Sequence, residues 1–380
     1  MLCHFKNVCQ CERRVNEQMR IKLTILLLTL VVLIGLSGSY VVGGLQAYTR
    51  YQQRSLDSQE HCGGQSPVHI CVHAPAIIFS AFYPSYVANQ SPLFTFDYSS
   101  SSPIELVMSV SIVGLSQVQS QTIHATTNVQ SVSIIPPLIS QSFRKLTTEY
   151  RTSLRVQVTD TGKRLYYLND IPLLLHSRWL MQWEAANRLK IAAWITPNDS
   201  AIGALVLKAA RHLSLEPPPV PQAMVGYSKA NSKEVIAQVD AIYETLRLDY
   251  SIRYLQASVP YSGPGSSNAA TQNIKLPAEV LQQHSGMCIE LTLLLASAVE
   301  RIGLHAEVVI TPGHAFLGVA VTPDNKHFEY WDAVQVNDNI AGDSTNIVTD
   351  EAYLQNMQQH TIVDTILISD ARNASIEPML

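Results

Sequence analysis

Three residues, Cys288, His314 and Asp332, stand in the order and local settings that a cysteine nucleophile requires. The thiol opens the run CIELTLLLASAVERI, the imidazole opens the apolar stretch HAFLGVAV, and the carboxylate closes FEYWD. A nucleophilic sulfur, a base that takes and returns its proton, and an acid that orients the base are together sufficient for acyl transfer through a thioester. Ser285 and Gly286 precede a helix of strong formers from Cys288 to Ile302, with Gly303 as its C-cap, so the sulfur belongs in the first turn. There the helix dipole and unpaired backbone N–H groups favour thiolate and can bind an oxyanion. The turn TPDNK, centred near Asp324, folds the following strands into a hairpin that brings His314 and Asp332 to the same end, with Asp324 at the other. His284 lies just before the helix as a competing base, and Gln272 and Asn273 are competing oxyanion donors.

The elements that must position these groups are legible upstream. Asn231 and Glu234 make a capping-box pattern ahead of Val235, Ile236, Val239, Ile242, Tyr243 and Leu246, an amphipathic helix with one face for a core. A strand-like SIRYLQA follows, then PYSGPGSSNAATQN, a Gly/Ser/Asn-rich loop long enough to form a flap beside a cleft. Before these, Asn198 or Asp199 caps a short helix with Ile202, Leu205, Val206 and Ala209 on one side, and prolines 217–219 and 221 stiffen the chain.

Further towards the N-terminus the period changes from helical to two. Ile104, Leu106, Met108, Val110 and Ile112 alternate strictly, as do Leu154, Val156 and Val158 up to a turn at Asp160–Lys163. Short runs of this kind at roughly ten-residue spacing predict an antiparallel β-sandwich of Ig-like type over residues 67–195.

The chain of 380 residues is long enough for two cores, and its 47% hydrophobic content can fill them. A net charge of -4, with no basic run beyond the extreme N-terminus, argues against nucleic acid as a partner. Leu23 to Val42 holds no charged residue, and at 1.5 Å per residue this stretch spans about 30 Å, a bilayer core. Lys6, Arg13, Arg14, Arg20 and Lys22 lie ahead of it, so the positive-inside rule places residues 1–22 in the cytoplasm and the remainder outside. A cleaved signal peptide is the competing reading. The expected layout is a cytoplasmic tail at 1–22, a membrane-spanning helix at 23–44 and a stalk at 45–66. The sandwich occupies 67–195, a helix with a Pro-rich linker 196–225, and an α+β domain 226–380. Cys62 and Cys71 can close a disulfide just outside the membrane, which leaves Cys288 as the odd thiol of the exposed portion. The cluster of Cys3, Cys9 and Cys11 fits no zinc spacing, and the chain has no calcium loop, so neither a metal nor a cofactor is expected.

The stretch LPAEVLQQHSGMCIELTLLLASAVERIGLHAEVV, with GHAFLGV and WDAV after it, resembles the core of the transglutaminase-like superfamily. The resemblance covers about Ser251 to Val336. It implies a papain-like arrangement with Cys288 as nucleophile, His314 as general base and acid, and Asp332 as its orienting partner. The expected activity is that of a membrane-anchored, extracytoplasmic cysteine peptidase or amidase acting on protein or peptide in the cell envelope. The alternative is an envelope protein that keeps this fold as a non-catalytic binding module.

Overall fold

Alternation of apolar and polar side chains builds the first half of the chain, as seen in a computed structural model that describes residues 58–89, 92–213, 223–228, 231–263, 270–333, 336, 347–348, 359 and 361–379. Strands β1 (Ser58–Gly63), β2 (Val68–Pro75), β4 (Thr95–Ser100) and β7 (Gln130–Ser133) form one sheet in the order β1-β2-β4-β7. A second sheet has the order β3-β9-β8-β5-β6, from β3 (Ile77–Phe79), β5 (Ile104–Ile112), β6 (Gln119–Ala125), β8 (Tyr150–Asp160) and β9 (Leu165–His176). Within it only the β3–β9 pairing is parallel. Leu106, Met108, Val110 and Ile112 all point inward from β5, because a period of two sends alternate residues to one face. They meet Ile70, Val72 and Phe96 of the other sheet in one apolar core. Cys62 and Cys71 are joined by a disulfide across β1 and β2.

The second half is organised around a buried helix. Helices α1 (Ser200–Leu213), α2 (Ser232–Leu248), α3 (Pro277–Gln283) and α4 (Cys288–Arg301) precede a five-stranded sheet. Its strands are β14 (Ala306–Thr311), β15 (His314–Ala320), β16 (Phe328–Trp331), β17 (Ile347–Val348) and β18 (Asp364–Leu367), in the order β17-β16-β15-β14-β18. Twelve of the fourteen residues of α4 are buried, so this helix is the centre of its layer, with helices and sheet packed around it. Each of its leucines contributes about 1.5–3 kcal/mol by leaving water. Asn231 and Glu234 do form a reciprocal capping box at the start of α2, and Asp199 caps α1 through the Ala201 N–H at 2.8 Å.

Residues 180–213 tie the halves together within one unit, Gln59–Leu380. Strand β10 (Leu180–Trp183) pairs antiparallel with β12 (Ala270–Asn273) of the Gly/Ser/Asn-rich segment. Met181, Trp183, the run Ile191–Ile195, and Ile202, Leu205 and Ala209 of α1 are buried in the same core as α4. The Trp194 indole donates to the Ile274 carbonyl at 2.8 Å. Residues 264–269 of the expected flap lie outside the described residues, as does the segment 23–44 expected to span a membrane. Among the described residues no helix is long and apolar enough to cross a membrane.

Candidate active site

The sulfur is placed by the way α4 begins. Strand β11 (Arg253–Leu255) runs parallel to β13 (Ser285–Met287), and β13 leads straight into Cys288. Met287 is extended, at φ -74° and ψ 166°, and Glu290 three residues on reaches back to accept its N–H at 2.9 Å. The same buried carboxylate accepts the Lys275 N–H at 2.8 Å, with the Lys275 ammonium 3.5 Å away. Gly286 sits in close quarters, since a Cβ there would lie 3.0 Å from Leu291 and 3.1 Å from Val280 and push those side chains aside. Cys288 is thereby fixed as the first residue of the helix, where its backbone N–H has no partner one turn back.

The imidazole is held from two sides. Gly313, at φ 77°, turns the chain into β15 so that His314 opens the strand. Its Nε2 lies 2.8 Å from Asp332 Oδ2. Leu317 pairs with Trp331 in the β15–β16 register, so the next position along puts Asp332 opposite Phe316, diagonal to His314 and on its face of the sheet. Cys288 also acts on the ring, and with Nε2 taken by Asp332 the nitrogen left for the sulfur is Nδ1. Burial opposes a charge on His314, but the hydrogen bonds to Asp332 and Cys288 and the negative charge at both outweigh it and raise its pKa to about 10. A protonated ring is the state this geometry favours.

A further set of residues holds these three in place. The Thr292 hydroxyl is 2.8 Å from the Cys288 carbonyl and 3.2 Å from the Ala315 carbonyl, a cross-link between the thiol's helix and the imidazole's strand. Tyr243 of α2 donates to the Asp332 carbonyl at 2.9 Å, and Asp240, one turn earlier, accepts the Trp331 indole N–H at 2.9 Å. Tyr254 of β11 faces the sulfur; burial first, then the charges of Cys288 and Asp332, raise its phenol pKa and keep it a hydrogen-bond donor. The thiol itself is fully buried, with the Ala257 carbonyl 3.5 Å from Sγ. The segment carrying Tyr254 and Ala257 thus covers the sulfur, and it is tied to the His314 side by the Val259 N–H donating to the Gly313 carbonyl at 3.1 Å.

Residues 229–367 match the family described as the transglutaminase-like superfamily. This part of the chain is a transglutaminase-like superfamily domain. The superfamily is of cysteine hydrolase and acyltransferase type. A search of curated proteins finds no match. The transglutaminase-like domain contains Cys288, His314 and Asp332, and the chain brings all three together. Two of the competing groups spend their side chains on other partners. Gln272 spends its amide on the Trp183 indole N–H at 2.9 Å and the Ser258 carbonyl at 3.4 Å, and Asn273 is paired in β12. His284 directs Nδ1 to the Tyr250 carbonyl at 2.5 Å. Sequence reasoning missed Glu290, Thr292, Tyr243 and Tyr254 as supporting residues. Only Glu290 carried a local signal, an acid at the third helical position after the N-cap.

Proposed function

We propose that Cys288, His314 and Asp332 are the catalytic triad of a cysteine peptidase or amidase. The observation that carries this reading is a single imidazole joined to Asp332 at 2.8 Å and close enough to Cys288 to be influenced by it. In the reaction the Cys288 sulfur attacks an amide carbonyl, and the N–H at the start of α4 is placed to stabilise the oxyanion. His314 gives its proton to the departing amine, leaving an acyl-thioester. The ring then accepts a proton from water or from a second amine as that nucleophile attacks, and collapse of the intermediate expels the Cys288 thiolate beside the protonated ring. Hydrolysis is favoured over crosslinking by the sequence, which has no calcium loop.

The wider setting belongs to the same proposal. Residues 23–44 anchor the chain in the membrane with residues 1–22 cytoplasmic, and the two-sheet region acts as an Ig-like spacer or binding module outside. The uncharged stretch with basic residues ahead of it supports this, and the Cys62–Cys71 disulfide suits an oxidising compartment. The substrate is then protein or peptide in the cell envelope.

A second reading, a non-catalytic binding module, is favoured by the complete burial of the thiol beneath the Ala257 carbonyl. Iodoacetamide separates the two. For the full chain at neutral pH, with the label located by peptide mass, an enzyme is expected to alkylate at Cys288 at least about tenfold faster than free cysteine. His314→Ala is expected to slow it by a similar factor. A thiol that labels slowly, at a rate indifferent to His314, supports the binding module and ends the catalytic proposal.

A further inference from the structure

On the far side of β11 from the sulfur lies an open groove of about 460 Å³, bounded by β11, the chain before it and the turn from α3 into β13. Side chains alternate along β11, so Tyr254 faces Cys288 while Arg253 and Leu255 face the groove. Arg253 is exposed, and among the described residues its guanidinium has no partner. Its neighbours add hydroxyls from Ser251 and Ser285 and the outer edge of His284, whose other nitrogen is taken by the Tyr250 carbonyl. Two lysines touch residues of its wall, of which Lys275 is already paired with Glu290 at 3.5 Å. The Lys208 ammonium lies 4.2 Å from the centre of the Tyr250 ring, and that of Lys275 bonds Gln283 at 3.1 Å and the Ser285 carbonyl at 2.9 Å. Among the described residues no acidic side chain lines the groove, and nearby Asp249 is occupied by His212 at 3.5 Å.

The backbone on both walls is constrained. Ser251 at φ 47° and His284 at φ 53° are two of the five non-glycine residues with positive φ among the described residues, a conformation that costs energy and collects at binding sites. The position is also suited to a substrate. Cys288 lies three positions along the chain from Ser285, about 10 Å at strand rise, which is the reach of an extended peptide from its reacting carbonyl to a side chain two or three positions away. Arg253 and Leu255 are two residues apart on one face, about 6.6 Å along a strand.

We propose that this groove binds an extended peptide that carries an acidic side chain, held by Arg253, with an apolar side chain two positions along against Leu255. The proposal rests on the enzyme reading for its link to catalysis, but the binding itself does not. The test uses full-length Cys288→Ala protein, so that nothing is turned over, and fluorescein-labelled nonapeptides that differ only in Glu against Gln two positions before a leucine. Fluorescence polarisation is expected to give a Kd about tenfold lower for the Glu peptide, the scale of one charge-assisted contact at a partly open site. Arg253→Gln is expected to erase the difference, while Arg155→Gln on β8 leaves it intact. Equal affinity for the two peptides, no binding of either at millimolar concentration, or Arg253-dependent binding to phosphatidylglycerol vesicles in place of the peptides would each overturn the proposal. Peptide recognition with an unreactive Cys288 would keep the groove and refute the enzyme. A reactive Cys288 with no Glu preference would do the reverse.

Discussion

The two-sheet region and the transglutaminase-like domain build their buried cores by different means. In the first, the inward positions of β5 and β8 are apolar, and the polar residues between them face water. The second takes Glu290, Thr292, Ser297, Gln238 and Thr245 fully out of solvent, and nearly all of Glu307. A buried polar group is costly unless bonded, and four of these meet that condition with bonds that pin an element. Glu290 anchors the start of α4, Thr292 joins it to β15, Gln238 holds the backbone of Gly226, and Ser297 accepts the Thr196 N–H. The contrast teaches that the first region needs only a filled interior, while the second needs defined positions. Glu307 departs from this pattern. Burial raises its carboxyl to about 7, against a hydrogen bond with Tyr330, and one of its oxygens has no partner among the described residues.

Breaking one polar anchor should therefore hurt more than breaking one apolar contact, and in a different way. Glu290→Ala is expected to lower stability by about 3–5 kcal/mol, because it strands the Lys275 charge and two backbone donors. It should also slow iodoacetamide labelling of Cys288 in the molecules that remain folded. Denaturant melts and labelling rates check this, and a folded variant that labels at the parental rate would show that the anchor does not position the thiol.

Leu106→Ala in β5 is expected to cost about 3 kcal/mol through the cavity it leaves, with labelling unchanged because the loss is confined to the other core. Slower labelling at a temperature where the variant is fully folded would refute the separation of roles.

The smallest effect sharpens the comparison through pH. The folded-state pKa of His314 lies at about 10, above the ordinary imidazole value of 6.5, so the folded protein holds this proton more tightly than the unfolded chain. Its stabilisation is fully present below about pH 6.5 and is lost as pH rises towards 10. The stability gap between the parent and His314→Gln should shrink across that window. It will be smaller than the shift alone implies, since the His314 and Asp332 side chains remain 26% and 21% exposed and solvent screens the pair. A gap that widens with pH would contradict the His314–Asp332–Cys288 arrangement.

Much of the fold was legible wherever one residue type recurs at a fixed step. The period-two runs became β5 and β8, the Asn231–Glu234 box starts α2, and the helix read from Cys288 with Gly303 behind it is α4. The order Cys288, His314, Asp332 was legible too, because each sits at the boundary of an element whose own pattern is strong. The supporting residues were not. Tyr243 reads in sequence as one more apolar position of an amphipathic helix, and Thr292 as one polar residue among leucines. Their roles depend on strands more than 20 and nearly 90 residues away.

By itself the sequence determined which segments are strands and helices, which residues could do acyl chemistry, and how charge is distributed, since these depend on neighbours along the chain. Only the tertiary structure decided that residues 181–195 pack into the core around α4, that the thiol is covered by the Ala257 carbonyl, and that a cationic groove lies behind Tyr254. Those outcomes come from contacts between distant segments. Local periodicity carries no information about them, because a strand or helix pattern specifies which face is buried but not what is packed against it.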